Sequence, residues 1–95
     1  MRAPVTHFLP ITRAVADAKL RGEKRFEIRY NNLDGFQKGD RVRYTVVESE
    51  DDPTAVDDHP LTKCMFEVTL GYRRHRGLAP GYVVFEERLV PAYER

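Results

Sequence analysis

The sequence predicts one α+β domain, an N-terminal helix followed by a strongly curved sheet or small barrel of four or five short strands. Three observations carry this. Ile11, Ala14, Val15 and Ala18 recur at helical spacing. Residues 24–30, 41–47, 62–70 and 82–90 read as strands, several alternating with period two. The segments between them are rich in glycine, proline and charge. The chain has 95 residues, which is one domain, 1–95, with no room for two.

The helix is predicted over 10–21. Pro10 suits a first turn, where its missing N–H costs nothing, and Gly22 suits a C-terminal cap. In KRFEIRY (24–30) Phe26, Ile28 and Tyr30 fall on one side, Arg25, Glu27 and Arg29 on the other. The charged side reads as a solvated outer face, with Glu27 pairing across strands to Arg41 or Arg43, or as a ligand-binding row. Residues 34–40 are turn chemistry with two glycines. In RVRYTVV (41–47) Val42, Tyr44 and Val46 face the core. In TKCMFEVTL (62–70) Cys64, Phe66, Val68 and Leu70 share the inner face. Residues 71–81 form a basic loop, and YVVFEERLV (82–90) is the last strand, with Val83, Phe85 and Leu89 inward. Long alternating strands of this kind fit an antiparallel or mixed sheet rather than a buried parallel one.

The composition excludes several classes. With 41% hydrophobic and 33% charged residues, five Tyr and five Phe, the chain is not a disordered tail. No uncharged run is long enough for a transmembrane helix, and no signal-like stretch follows Met1. A single cysteine, Cys64, excludes an internal disulfide and a multi-cysteine zinc site. A cytoplasmic location is the expectation. His7, His59 and His75 have no metal-binding spacing, so neither metal nor cofactor is expected. Cys64 reads as a core residue rather than a nucleophile.

The net charge of +1 conceals an asymmetry. Residues 48–61 hold Glu48, Glu50, Asp51, Asp52, Asp57 and Asp58 and no Lys or Arg. The rest carries 16 basic residues against nine acidic ones, a balance of +7. A basic body suits an anionic partner such as nucleic acid. An acidic loop that keeps the chain soluble accounts for the same split.

The stretch Gly22–Arg29 packs five charges into eight residues. It carries a resemblance together with Thr6–His7 before the helix, Phe36–Gln37–Lys38–Gly39–Asp40 after the strand, and the closing Gly77–Leu78 and Gly81–Tyr82–Val83–Val84. These pieces, in this order and over nearly the whole chain, resemble the ASCH domain of the PUA-like superfamily. They are most similar to its small phage- and bacteria-associated branch of unknown function. The G-x-K…E-I-R…G-D core is the more specific part, and the G-Y-V-V end is weak by itself. Asn31–Asn32–Leu33 departs from the Asn-Asp-Arg usual in that branch, losing an acid and a base. His59–Pro60–Leu61–Thr62 stands where Tyr-Thr-Gly is usual.

The resemblance implies a PUA-like curved mixed β-barrel of about five strands, closed at one end by the helix. It also implies a cleft beside the barrel that takes RNA, nucleotides or modified bases. Carried over by position, the candidates are Lys24, Glu27, Arg29, Asn31, Lys38 and Asp40, with His7 lining the cleft. Arg29 and Lys24 suit a phosphate or a base edge, and Asn31 both donates and accepts. Strict alternation sets Lys24 opposite Glu27, unless Lys24 still belongs to the turn or the strand starts with a bulge. Tyr30 and Tyr82 are stacking candidates, with core or edge packing as the other reading. Arg73, Arg74 and Arg76, on a Gly-bounded loop, suit phosphate contact or form a solvated tip.

The expected function is an RNA-, nucleotide- or modified-base-binding module. The first alternative is a small amidohydrolase or nuclease-like enzyme with Lys24 and Glu27 as acid–base residues. Similar single-domain ASCH amidohydrolases place a Thr where Glu27 stands, and a carboxylate is no hydroxyl nucleophile. Spacing selects neither Glu67 nor Glu86 as a distal acid. The second alternative is a protein-binding regulator that uses the acidic loop 48–61.

Overall fold

The computed structural model describes residues 3–30, 35–71, 82–91 and 94. Over these residues it is an α+β fold with one α-helix and a mixed six-stranded sheet. The elements are β1 (Thr6–Thr12), α1 (Arg13–Leu20), β2 (Phe26–Tyr30), β3 (Arg41–Ser49), β4 (Asp52–Ala55), a 3-10 turn (Pro60–Lys63), β5 (Phe66–Gly71) and β6 (Tyr82–Leu89). The strand order is β1-β3-β5-β6-β2, with β4 paired to β3 off this path. β1 runs parallel to β3, and the other pairs are antiparallel. The order is an open path, with β1 and β2 at its two ends.

The helix begins three residues later than expected, because residues 6–12 are a strand and Pro10 lies inside it. A proline without an N–H is tolerated there because β1 is an edge strand. Thr12 is the N-cap, its hydroxyl accepting from the Val15 N–H at 3.4 Å. At the other end Gly22 adopts φ +75°, as a C-terminal capping glycine should. Its N–H donates to the Lys19 carbonyl at 3.0 Å, and the Glu23 N–H donates to Ala18 at 3.0 Å.

The acidic segment 48–61 is not a plain loop. β3 extends to Ser49, and β4 folds back on it with all four residues exposed. The segment closes on buried His59, whose Nε2 lies 2.8 Å from Asp17 of α1. The Leu61 N–H donates to His59 Nδ1 at 3.1 Å, so Nδ1 is an acceptor and Nε2 carries the hydrogen.

The core lies on the sheet face under α1. It gathers Ile11, Ala16, Val42, Tyr44, Val46, Val68, Val83 and Phe85. Val42, Tyr44 and Val46 face inward as the alternation predicts, and so do Val83 and Phe85. Leu89 does not join them: it is 51% exposed. Its register partner Phe66 is buried, but α1 ends at the exposed Leu20, and the two leucines border one open space. Cys64 follows the 3-10 turn rather than lying in a strand, and packs half-buried against the core.

The faces of β2 are the reverse of a solvated charged row. Phe26 is 47% and Ile28 48% exposed, whereas Glu27 is 3% exposed. The register explains it. Glu27 sits opposite Phe85 and Arg29 opposite Val83, both core residues, and directly paired residues share a face. β2 pairs with β6, not β3. The partners expected for Glu27, Arg41 and Arg43, are therefore not its cross-strand neighbours.

Candidate functional site

Burying the charged face of β2 is costly unless partners arrive from elsewhere, and they do. Lys19, on the inward side of α1, reaches down with its ammonium fully buried. Its Nζ lies 2.8 Å from Glu27 Oε1 and 2.5 Å from Glu87 Oε1. The Tyr44 hydroxyl lies 2.6 and 2.8 Å from the two Glu87 oxygens and donates to that carboxylate. The Lys19 ammonium also stands 5.1 Å from the centroid of the Tyr44 ring, where the ring quadrupole attracts it. Burial pushes the Glu87 carboxyl above its ordinary value, against the opposing pull of Lys19 and the Tyr44 hydroxyl. Burial, then the Glu87 charge, pushes the Tyr44 phenol up as well.

Glu27 is the hinge between this buried cluster and the surface. Arg29 Nε donates to its Oε2 at 3.2 Å, and Lys24 Nζ lies 3.7 Å from Oε1. Oε1 makes no hydrogen bond in spite of its two ammonium neighbours. Its contact with Lys19 is an ion pair outside hydrogen-bond alignment. Three cations thus converge on one carboxylate. Lys24 precedes the first residue of β2, so strand alternation does not bind it and it turns to the same side as Glu27.

Lys24, Glu27 and Arg29 form one wall of a cleft of about 390 Å³. The other walls come from Pro10, Ile11 and Thr12 of β1, Val15 of α1, Val47 and Ser49 of β3, Glu50, and Pro53 of β4. β1 and β2 are the two ends of the strand order, yet both line this cleft. The sheet therefore curls until its edges flank a common gap. The cleft carries two half-buried cations on one side, the Glu50 carboxylate and the hydroxyls of Thr12 and Ser49 on the other, and apolar surface between them.

The other candidates among the described residues lie elsewhere. Lys38 is exposed in the turn before β3 and lines no part of the cleft. Asp40 is buried and structural: it accepts from the Val5 N–H, the Gln37 N–H and His7 Nε2 at 3.3, 3.1 and 2.8 Å. His7 accordingly packs on Phe36, ring centroids 4.3 Å apart, and does not line the cleft. Tyr82 is 41% exposed and sits on the outer face of β6, in the parity of Glu86 rather than Phe85. It is on the opposite side of the sheet from Glu27. Glu67 is engaged by Arg88 at 3.2 Å, and Glu86 lies outside the cleft. Asn31, Arg73, Arg74 and Arg76 lie outside the described residues, as does the side chain of Tyr30.

Sequence reasoning missed Lys19, Tyr44 and Glu87 as parts of a polar centre. A signal for Glu87 existed: it continues the inward parity of Val83 and Phe85. Lys19 had one too, lying three and four residues beyond Ala16 and Val15 on the helix. No protein-family model matches the chain, and no curated protein matches it.

Proposed function

We propose that the chain is a binding module for a nucleotide-like ligand, RNA above all, held in the cleft between β1 and β2. The observation that carries this is the convergence of Lys24, Glu27 and Arg29 on one wall of that cleft. Lys24 and Arg29 supply cationic donors for a phosphate or a base acceptor. Glu27 holds the Arg29 guanidinium by its Nε and fixes its direction. The apolar surfaces of Ile11, Val15, Val47 and the two prolines suit the flat faces of a base. A pocket of this size, mostly apolar with a few convergent polar groups, is what small ligands occupy. The acidic β3–β4 hairpin contributes Glu50 to the far side and disfavours a broad phosphate footprint there.

The ASCH-domain resemblance and the PUA-like barrel it implies belong to the same proposal. A six-stranded mixed sheet whose edges curl toward each other under one helix supports it. So does the clustering of three of the residues that the resemblance names.

A salt-dependent titration with a short single-stranded RNA, its DNA equivalent and free nucleosides tests the reading, with each mixture assayed for product. RNA-selective binding that weakens with salt and with Arg29→Ala supports the module. Binding untouched by Arg29→Ala and by Glu27→Gln discards the cleft. Turnover abolished by Glu27→Gln would instead make Lys24 and Glu27 the acid–base pair of a hydrolase.

A further inference from the structure

On the far side of the Lys19–Glu27–Glu87 cluster lies a second cavity, larger than the cleft, at about 610 Å³. It is bounded by Lys24 and Arg25 before β2, by Arg88 on β6, and by exposed Leu20 and Leu89 beside Phe66. Lys24 lines both spaces. We propose that this cavity is a second nucleotide subsite, so that the ligand is a single-stranded oligonucleotide whose backbone passes Lys24 and Arg25 on its way from one space to the other. This rests on the reading of the cleft given above.

Two carboxylates border the cavity: the charge of Glu87 is taken up by Lys19 and Tyr44, and Glu86 is exposed in the outward parity of β6, opposite Phe26. Arg88 is held by Glu67 and Glu94 at 3.2 and 3.1 Å. Arg25 is exposed, and no carboxylate among the described residues forms an ion pair with it. Lys24 shares Glu27 with two nearer cations. Lys24, which lines both spaces, and Arg25, next to it in sequence and lining the second, therefore leave positive charge, partly offset by Glu86, where a phosphodiester would link two bound nucleosides. The apolar floor is made by Leu20 at the end of α1, by Leu89 and by Phe66. Two leucines on a rim of cations suit an unstacked base and its phosphate, and each space lies in the range of about 300–1,000 Å³ that small ligands fill.

The test compares affinities for the four ribonucleoside monophosphates with those for mixed-sequence RNA pentanucleotides and their DNA equivalents. These are measured on the wild-type chain, Arg25→Ala and Leu89→Asp. The pentanucleotide is expected to bind at least about tenfold tighter than any monophosphate, with a steeper salt dependence. Arg25→Ala is expected to bring that ratio back toward one and lower the salt slope by about one, and Leu89→Asp to lower the ratio too. Both residues are exposed, so neither change threatens folding. Equal affinity for monophosphate and pentanucleotide, or a ratio unmoved by both substitutions, overturns the second subsite while leaving the cleft intact. Failure of every nucleotide to bind overturns the cleft reading and this one together.

Discussion

Glu27 and Glu87, on neighbouring strands and 60 positions apart in sequence, share one cation: the Lys19 ammonium lies 2.8 Å from the first and 2.5 Å from the second. All three side chains are almost wholly buried. Two carboxylates in such a place repel each other unless a positive charge stands between them. Lys19 therefore ties α1 to both β2 and β6.

Lys19→Met tests that tie. It keeps the volume and removes the charge, leaving Glu27 and Glu87 buried and facing each other. The expected loss is about 3–5 kcal/mol in urea unfolding, a large share of what a domain of this size has. A loss under about 1 kcal/mol would mean that the carboxylates escape to water without Lys19.

The pH dependence of stability follows from Glu87. Its folded-state pKa lies above the ordinary 4.5, chiefly through burial, so the folded chain holds this proton more tightly than the unfolded chain does. The stability it contributes is present below the ordinary carboxylate range and is lost as pH rises through the raised value. Thermal unfolding followed from pH 4 upward should show the wild-type Tm falling relative to that of Glu87→Gln across this window. Parallel Tm curves for the two proteins would contradict the assignment.

The reversed faces of β2 make a third prediction. Ile28→Thr and Phe26→Ser, on the exposed face, should change stability by no more than about 0.5 kcal/mol. Glu27→Ala, although it removes a charged residue from a strand, should cost about 1–3 kcal/mol or more by stranding Lys19 and Arg29. Denaturant midpoints of the three variants give the order directly, and the opposite order would return the apolar face to the core.

Much of this fold was legible in the sequence. The Gly22 cap, the inward residues of β3 and the start of β6 follow from local spacing, and the structure has them. β2 was not legible in its faces. Its alternation is equally regular on both sides, and hydropathy alone sends Phe26 and Ile28 inward. What reverses it is non-local: Lys19 from the helix and the Val83–Phe85 register from the last strand. The helix start was misplaced for a related reason, since Pro10 suits a first helical turn and an edge strand equally well. At the site, Lys24, Glu27 and Arg29 are candidates through the family resemblance rather than through spacing, and all three line one cleft. Its apolar walls come from β1, α1, β3 and β4, which no spacing rule connects to β2.

In the proposed function, the gap between β1 and β2 holds a nucleotide-like ligand on Lys24, Glu27 and Arg29. The most direct measurement is a ¹H–¹⁵N correlation titration with each ribonucleoside monophosphate in turn. Saturable shifts concentrated at residues 10–12, 15, 24–29, 47–50 and 53, and lost in Arg29→Ala, are the predicted result. Saturable shifts that spare these residues, or no shifts with any of the four, would contradict it.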